Sequence, residues 1–308
     1  LGVDALGVNC SLGPKELMPI VEEISKWTTV PIVVKANAGL PDPVTNTYNV
    51  LPDEFADTCK EMVKYGAKVL GGCCGTTPAY VAKLKEMVAT VNASVVKKKP
   101  RQLAVCTPLK TVVVDQPRIV GERINPTGKK RFKQALRDND MNYILSQAIE
   151  QIAAGADILD VNVGSPDIDE KEMMVKVIKA LQAIVDVPLQ IDSTKPEVLE
   201  AALRVYNGKP IVNSVNGEEE VLDTILPIVA KYGGAVIGLA LDENGIPPTA
   251  EGRVEIAKRI RDKAMSYGIP KEDIIIDCLT LTVSAEQKAA AETLKAMNIV
   301  KNELGLRT

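Results

Sequence analysis

The sequence contains no histidine. That absence removes Ser-His-Asp triads, HExxH zinc sites and a histidine ligand to a haem or corrinoid. It leaves acid–base work to Asp, Glu, Lys, Tyr or water, and metal binding to thiolates and carboxylates. Aromatic residues make up only 3% of the chain, which argues against an extended stacking platform for nucleic-acid bases. With a formal charge of −3 and one short, proline-broken basic run at Lys97-Lys98-Lys99-Pro100-Arg101, there is no electrostatic footprint for nucleic acid. No apolar stretch reaches the roughly 18–20 residues of a membrane-spanning helix. No secretory signal is visible at the start, and the adjacent pair Cys73-Cys74 is not a secreted disulfide framework. A cytoplasmic protein without a membrane partner is the expectation.

What is present is ordinary in bulk: 308 residues, 46% hydrophobic and 25% charged. Such a chain buries a sizeable core as one large α/β barrel or as two domains. Short apolar runs recur at 3–8, 31–35, 67–70, 118–121, 157–161, 188–191, 210–212, 235–240 and 274–276. They are rich in Val, Ile and Leu without alternation, the pattern of parallel strands buried on both faces. Helical periods lie between them, clearest at 14–26, 78–90, 141–154, 169–185, 196–206, 218–232, 249–267 and 285–303. Proline at first-turn positions (Pro14, Pro78, Pro196) and glycine beyond last turns (Gly155, Gly208, Gly233, Gly268) mark their ends. Strand-then-helix repetition implies right-handed βαβ units and a parallel sheet. The segment around the basic run lacks a long helical period and divides the chain into residues 1–95, a linker at 96–116 and residues 117–308. Three βα units precede it and six follow, so the expected architecture is α/β, two (β/α)8 TIM-type barrels in tandem, both incomplete in this stretch.

Polar residues recur where the apolar runs end. Asn9-Cys10 follows the first, and "GGCCGT" with Cys73 and Cys74 follows the third. Beyond the linker the same position yields "GERINPTG" (Glu122, Arg123, Asn125), "DVNVG" (Asp160, Asn162), "IDST" (Asp192), "VNSVN" (Asn213) and "IDC" (Asp277). Barrels place their active sites at the carboxyl ends of several strands at once. One Asp there is usually structural, and Asp or Asn also caps helices; a ring of amides and carboxylates suits a flat, nitrogen-rich heterocycle. Among the cysteines, Cys59, Cys106 and Cys278 read best as packing residues. Cys73-Cys74 sits in a glycine-bracketed turn, where at least one thiol must face something polar. A strained adjacent disulfide is one reading; the other is zinc held by Cys10, Cys73 and Cys74, with a fourth position open for a substrate thiol. Neither "GVNCSLGP" nor "GERINPTG" has the spacing of a phosphate or dinucleotide loop.

These motifs carry a family resemblance over nearly the whole chain. "LGVNCSLGP", "PIVVKANAGLP" and "LGGCCGTTP" resemble the last three βα units of the homocysteine-binding barrel of cobalamin-dependent methionine synthases. "IVGERINPTGKK", "GADILDVNVG", "IDST" and "GKPIVNSVNGEE" resemble the first six βα units of their pterin-binding, methyltetrahydrofolate barrel. The resemblance implies zinc on Cys10, Cys73 and Cys74 with homocysteine sulfur as fourth ligand. It implies a pterin site of Glu122, Asn125, Asp160, Asn162, Asp192, Asn213 and Asp277, of which Asp192, Asn213 and Asp277 form the catalytic set supporting protonation of N5. The implied reaction passes the methyl group of 5-methyltetrahydrofolate through a corrinoid (methylcobalamin, held by a module outside this chain) to zinc-activated homocysteine. Against the family pattern, five strands of the first barrel and two units of the second are missing. A piece of a longer polypeptide, poor as a catalyst by itself, is therefore expected. Alternatives are a methyltetrahydrofolate:corrinoid protein methyltransferase, which has no use for the double cysteine, and a non-catalytic folate- or zinc-binding module.

Overall fold

The structure, a computed structural model, describes residues 3–92, 101–281 and 287–308. Lys97–Pro100 of the basic run and the start of the last expected helix lie outside the described residues. Contacts divide the chain into two compact units, Leu1–Arg101 and Gln102–Thr308.

The first unit is three successive strand–helix pairs: β1 (Leu6–Asn9), α1 (Pro14–Trp27), β2 (Ile32–Ala36), α2 (Pro52–Lys64), β3 (Ala67–Gly72) and α3 (Pro78–Val88). The strands are parallel in the order β1-β2-β3. Each helix opens with proline, whose fixed φ and missing N–H suit the first turn. Ile32, Val34 and Ala36 of the central strand are buried against Leu17, Val21, Phe55, Met62 and Leu84. Two-sided burial, expected from the apolar runs, does not hold in this unit. The helices cover one face, so Lys35 and Val69 are exposed and β1 is solvated along most of its length. Helix α2 is missing from the sequence reading because its buried stripe, Phe55, Cys59, Met62 and Val63, is interrupted by charge at Asp57, Lys60 and Glu61.

The second unit opens with an antiparallel hairpin, β4 (Ala104–Cys106) and β5 (Thr111–Val113), inside the segment expected to be linker. Strands this short carry no readable period. Tertiary packing makes them: Leu103, Val105 and Val112 are buried against Ile158, Ile211 and Ala235, and Cys106 exchanges backbone hydrogen bonds with Lys209. Then follow β6 (Val120–Ile124), α4 (Lys130–Asp138), α5 (Met141–Ala153), β7 (Ile158–Val161), α6 (Glu170–Ile184), β8 (Leu189–Asp192) and α7 (Pro196–Val205). The unit ends with β9 (Ile211–Val215), α8 (Glu219–Tyr232), β10 (Ala235–Leu239), α9 (Ala250–Ser266), β11 (Ile274–Asp277) and α10 (Gln287–Asn302). The six longer strands form one parallel sheet in sequence order from β6 to β11. Helix α4 is an addition to the expected set. The first strand of the parallel sheet lies at Val120–Ile124, a shift from 118–121, because Arg118 turns back to donate to the Val113 carbonyl at 2.7 Å.

Strand periodicity explains why these runs look uniformly apolar yet carry polar chemistry. Leu159, Val161, Leu189, Ile191 and Val212 face the helices and belong to the main core. The alternate residues face the other way. Ile158 and Ile211 pack there on the hairpin, and Asp160, Asn162, Gln190, Asp192 and Asn213 continue the same face toward the carboxyl ends.

Candidate functional site

Two groups of side chains stand at the carboxyl ends of the strands, one in each unit. In the first, Cys10 follows β1 while Cys73 and Cys74 follow β3, and their sulfur atoms lie within 4.8 Å of one another. Among the described residues they are the one group of three or more His, Cys, Asp or Glu side chains placed to hold a metal ion. The end of β2 builds the cluster. Cys10 N–H donates to the Lys35 carbonyl (2.9 Å), Cys73 N–H to Ala36 (2.7 Å), and Ala38 N–H to the Cys74 carbonyl (2.9 Å). Buried Asn37 accepts from the Cys74 amide through Oδ1 at 3.1 Å. Cys10 and Ser11 both adopt left-handed backbone, φ 64° and 62°, a conformation costing non-glycine residues about 1 kcal/mol or more each. The turn toward the other two thiols is therefore held by the surrounding structure rather than by local preference.

The thiols of this group are electrostatically linked. The Ser11 backbone amide, followed by the Cys74 and Cys73 thiols, lowers the pKa of Cys10. Hydrogen bonds and charge from Cys10 and Cys73 raise that of Cys74. Charge on Cys10 thus opposes charge on Cys74, and a cation placed between them would offset it. Tetrahedral zinc with sulfur at 2.3 Å sets its ligand sulfurs about 3.8 Å apart. Cys10 and Cys74 sulfurs stand at 3.5 Å, so the donor set fits zinc in both chemistry and spacing. The six cysteines are free thiols, which removes the adjacent-disulfide reading. Cys59 and Cys278 are buried, with thiol pKa values pushed up by desolvation to about 12 and about 11. Cys106 is half-buried in the hairpin.

In the second unit, register brings four of the seven expected residues into two neighbouring hydrogen-bonded groups. Asp160 is paired with Gln190 across β7 and β8, and Asp192 with Asn213 across β8 and β9. Asp160 Oδ1 accepts from Gln190 Nε2 (2.7 Å) and Asn213 Nδ2 (3.2 Å). Asn162 Nδ2 donates to Asp192 Oδ2 at 2.9 Å. Desolvation, then the charge of Asp192, raises Asp160 to about 6; desolvation also raises Asp192. The remaining three sit at strand ends without joining either group. Glu122 is exposed and paired with Lys129 at 3.0 Å, although its charge reaches both aspartates. Asn125 Oδ1 caps its own turn by accepting from Thr127 N–H at 2.8 Å, and Asp277 does the same for Leu279 N–H at 2.8 Å.

The residues that sequence reading misses here are amides and a cation. Asn37 follows the carboxyl end of β2, the same rule that singles out Asp160 and Asp192, whereas Gln190 lies inside β8. Arg253, on α9, is buried and donates to the carbonyls of Cys278 (2.8 Å), Leu279 (3.0 Å) and Pro247 (3.0 Å) and to Thr293 Oγ1 (2.6 Å). It thereby pins the loop after Asp277; nothing in a helix period marks such an arginine as internal. Among the described residues, no helix is long and apolar enough to cross a membrane.

Comparison with known proteins follows the same two-part division. Residues 121–308 match the model of the pterin binding enzymes, and residues 1–88 match that of homocysteine S-methyltransferase. The methionine synthase of Mycobacterium leprae is 33% identical over 321 aligned residues, 98% of this chain and 27% of that protein. The methionine synthase of Mycobacterium tuberculosis is 33% identical over 316 residues, 98% of this chain and 26% of that protein. The chain thus spans about a quarter of the length of the curated relatives it matches. A solved dihydropteroate synthase from Xanthomonas albilineans, in complex with 7,8-dihydropteroate, superposes with TM-score 0.50 at 21% identity, covering 66% of this chain and 75% of that one. At that identity the likeness is one of fold.

Proposed function

The chain belongs to the pterin-binding enzyme family, and from that premise we propose that it carries the methyl-donor and methyl-acceptor sites of a methionine synthase. The observation that carries this reading is the gathering of three thiols at strand ends in a chain that also holds a buried carboxylate–amide wall. In this reading the donor is 5-methyltetrahydrofolate, the acceptor homocysteine, and the carrier between them a corrinoid held by a domain or protein outside this chain. The double cysteine disfavours a methyltetrahydrofolate:corrinoid protein methyltransferase, which has no acceptor thiol to activate.

Cys10, Cys73 and Cys74 are the ligands for zinc, and the strained turn at Cys10 holds its sulfur in place before the ion arrives. Zinc, when bound, lowers the pKa of a substrate thiol and keeps it as the nucleophilic thiolate. In the second unit, Asp192 and Asn213 accept from and donate to the edge of the pterin ring, with Asn162 orienting Asp192. Asp160 lies one layer deeper, held by Gln190 and Asn213, and keeps a proton near pH 6 that a fully hydrated carboxyl would have lost. Asp277, held by its own turn and by the arginine beneath, completes the rim. N5 of the folate leaves more readily once protonated, and this polar wall supports that proton without histidine.

The test is metal analysis and calorimetric titration of 5-methyltetrahydrofolate on the same preparation. One zinc per chain, held roughly 100-fold or more weakly in Cys73→Ser with folate binding retained, is the expected result. A zinc-free chain indifferent to Cys73→Ser sinks the thiol half. Unaltered folate affinity in Asp192→Ala sinks the pterin half.

A further inference from the structure

The loop after β7 and the turn after β8 are tied together by a residue to which neither proposed site gives a role. Glu170 opens α6, yet its carboxylate does not serve that helix, whose first turn is capped by Asp169 accepting from Glu172 N–H at 2.9 Å. It reaches instead to the turn that follows Asp192. Glu170 Oε1 accepts from the hydroxyl of buried Ser193 at 2.6 Å, and Oε2 pairs with Lys195 Nζ at 3.0 Å. The Ser193 hydroxyl accepts in turn from Lys195 N–H (3.2 Å), and Ser193 N–H donates to the Asn213 carbonyl (3.1 Å). Asn162, which donates to Asp192, also accepts from Gly164 N–H at 2.8 Å. A Cβ on Gly164 would stand 3.3 Å from that Asn162 oxygen and 3.8 Å from Glu170 Oε1. Asn162 and Glu170 thus flank one glycine, and each ties the β7 loop to the Asp192-Ser193 pair. The Glu170 side chain is only 10% exposed. An apolar side chain would fill that space without the desolvation a carboxylate suffers, and both carboxylate oxygens face a single turn.

We infer that Glu170 is a positioning residue of the pterin site: by holding Ser193 and Lys195 it fixes the turn that carries Asp192, as Asn162 fixes the Asp192 carboxylate itself. The inference rests on the reading of Asp192 as a pterin-binding residue. The bond from the Ser193 hydroxyl is the one that matters. Ser193 is buried and adjoins Asp192, whereas the Lys195 side chain is 55% exposed and its ion pair contributes little. A binding group held in one orientation before its ligand arrives avoids the cost of being ordered afterwards.

Glu170→Ala removes both contacts, whereas Glu170→Gln keeps an acceptor for Ser193 and drops only the ion pair. Calorimetric affinity for 5-methyltetrahydrofolate should fall about tenfold in Glu170→Ala, the loss of one hydrogen bond to a charged group. In Glu170→Gln it should stay within about twofold of wild type. In an Asp192→Ala background, Glu170→Ala should leave the remaining affinity alone, because a residue acting through Asp192 then has nothing to position. A second readout needs no folate. Amide hydrogen exchange in the peptide spanning residues 192–196, followed by mass spectrometry, should quicken about tenfold in Glu170→Ala and return to the wild-type rate in Glu170→Gln. Folate affinity unaltered by Asp192→Ala overturns the pterin reading alone, and the exchange rates then decide the role of Glu170. Wild-type exchange in Glu170→Ala overturns the inference, and so does an equal loss of folate affinity with and without Asp192.

Discussion

The two units gather polar side chains at the ends of parallel strands by opposite means. In the first, the backbone does the holding. Amides and carbonyls at the end of β2 fix the cysteine loops, and Cys10 and Ser11 occupy strained left-handed positions. Cys10 and Cys73 are half-buried and Cys74 is exposed, on a sheet covered on one face only. In the second, side chains hold one another. Asp160 is bonded to Gln190 and Asn213, and Asn162 to Asp192, all in register across three neighbouring strands. The difference follows from what each group lacks. Thiolates crowded together need an external cation to share their charge, so the protein supplies geometry. Buried carboxylates must be satisfied by internal donors, so the protein supplies hydrogen bonds and pays in desolvation.

That contrast can be broken in four ways, the first having the largest expected effect. Cys73→Ser removes one thiolate ligand and should weaken zinc by about 3 kcal/mol, roughly 100-fold or more, if each ligand carries about a quarter of the binding energy of a four-ligand site; chelator competition reads it, and the second unit's melting should not move. Asp160→Asn should do the reverse, stabilising the second unit while leaving zinc alone. Folding raises the Asp160 pKa from 3.8 to about 6, so the folded state binds its proton more tightly than the unfolded one. The carboxylate therefore costs nothing below about pH 4, and its penalty grows as pH rises through about 6, to about 3 kcal/mol. Asn keeps an acceptor for Gln190 and Asn213, so the variant should melt roughly 6–12 °C higher at pH 7.5, with the gain vanishing by pH 4. A scan showing the same midpoint at both pH values refutes this account of Asp160.

Asp192→Ala comes third. It removes charged hydrogen bonds worth about 2–3 kcal/mol and should lower 5-methyltetrahydrofolate affinity about 30- to 100-fold by calorimetry, with zinc content unaltered. The smallest effect tests the hairpin. Val105→Ala deletes two buried carbons at the floor of the second sheet and should cost about 2 kcal/mol of that unit's stability in denaturant. Loss of stability confined to the second unit would assign residues 104–113 to it; no change would return them to the role of connector.

Much of both candidate sites is legible without coordinates, for a reason specific to parallel sheets. Their strands are short and apolar, so an Asp, Asn or Cys ending such a run is conspicuous; Cys10, Asp160, Asp192 and Asn213 stand out in this way. Gln190 does not, because it lies inside its run and an amide in an apolar stretch looks like an ordinary strand residue. Asn37 obeys the strand-end rule and escapes notice only because the cysteines around it draw attention first. Helix α2 and the hairpin are hidden for different reasons. Charges break the α2 stripe, and the hairpin's strands of three residues each are too short for any period to show.

By itself, the sequence determined the alternation of apolar strands with most of the helices and the absence of histidine chemistry, because periodicity and composition are properties of the linear chain. Only the tertiary structure decided which polar residues meet. Register set Asp160 beside Gln190 and Asp192 beside Asn213, whereas Glu122, Asn125 and Asp277 each turned to a partner within their own loop. It also decided that Cys10 reaches thiols more than sixty residues away. Meeting across strands depends on register and on loops bent against local preference, and both are fixed by long-range packing rather than by neighbours in sequence.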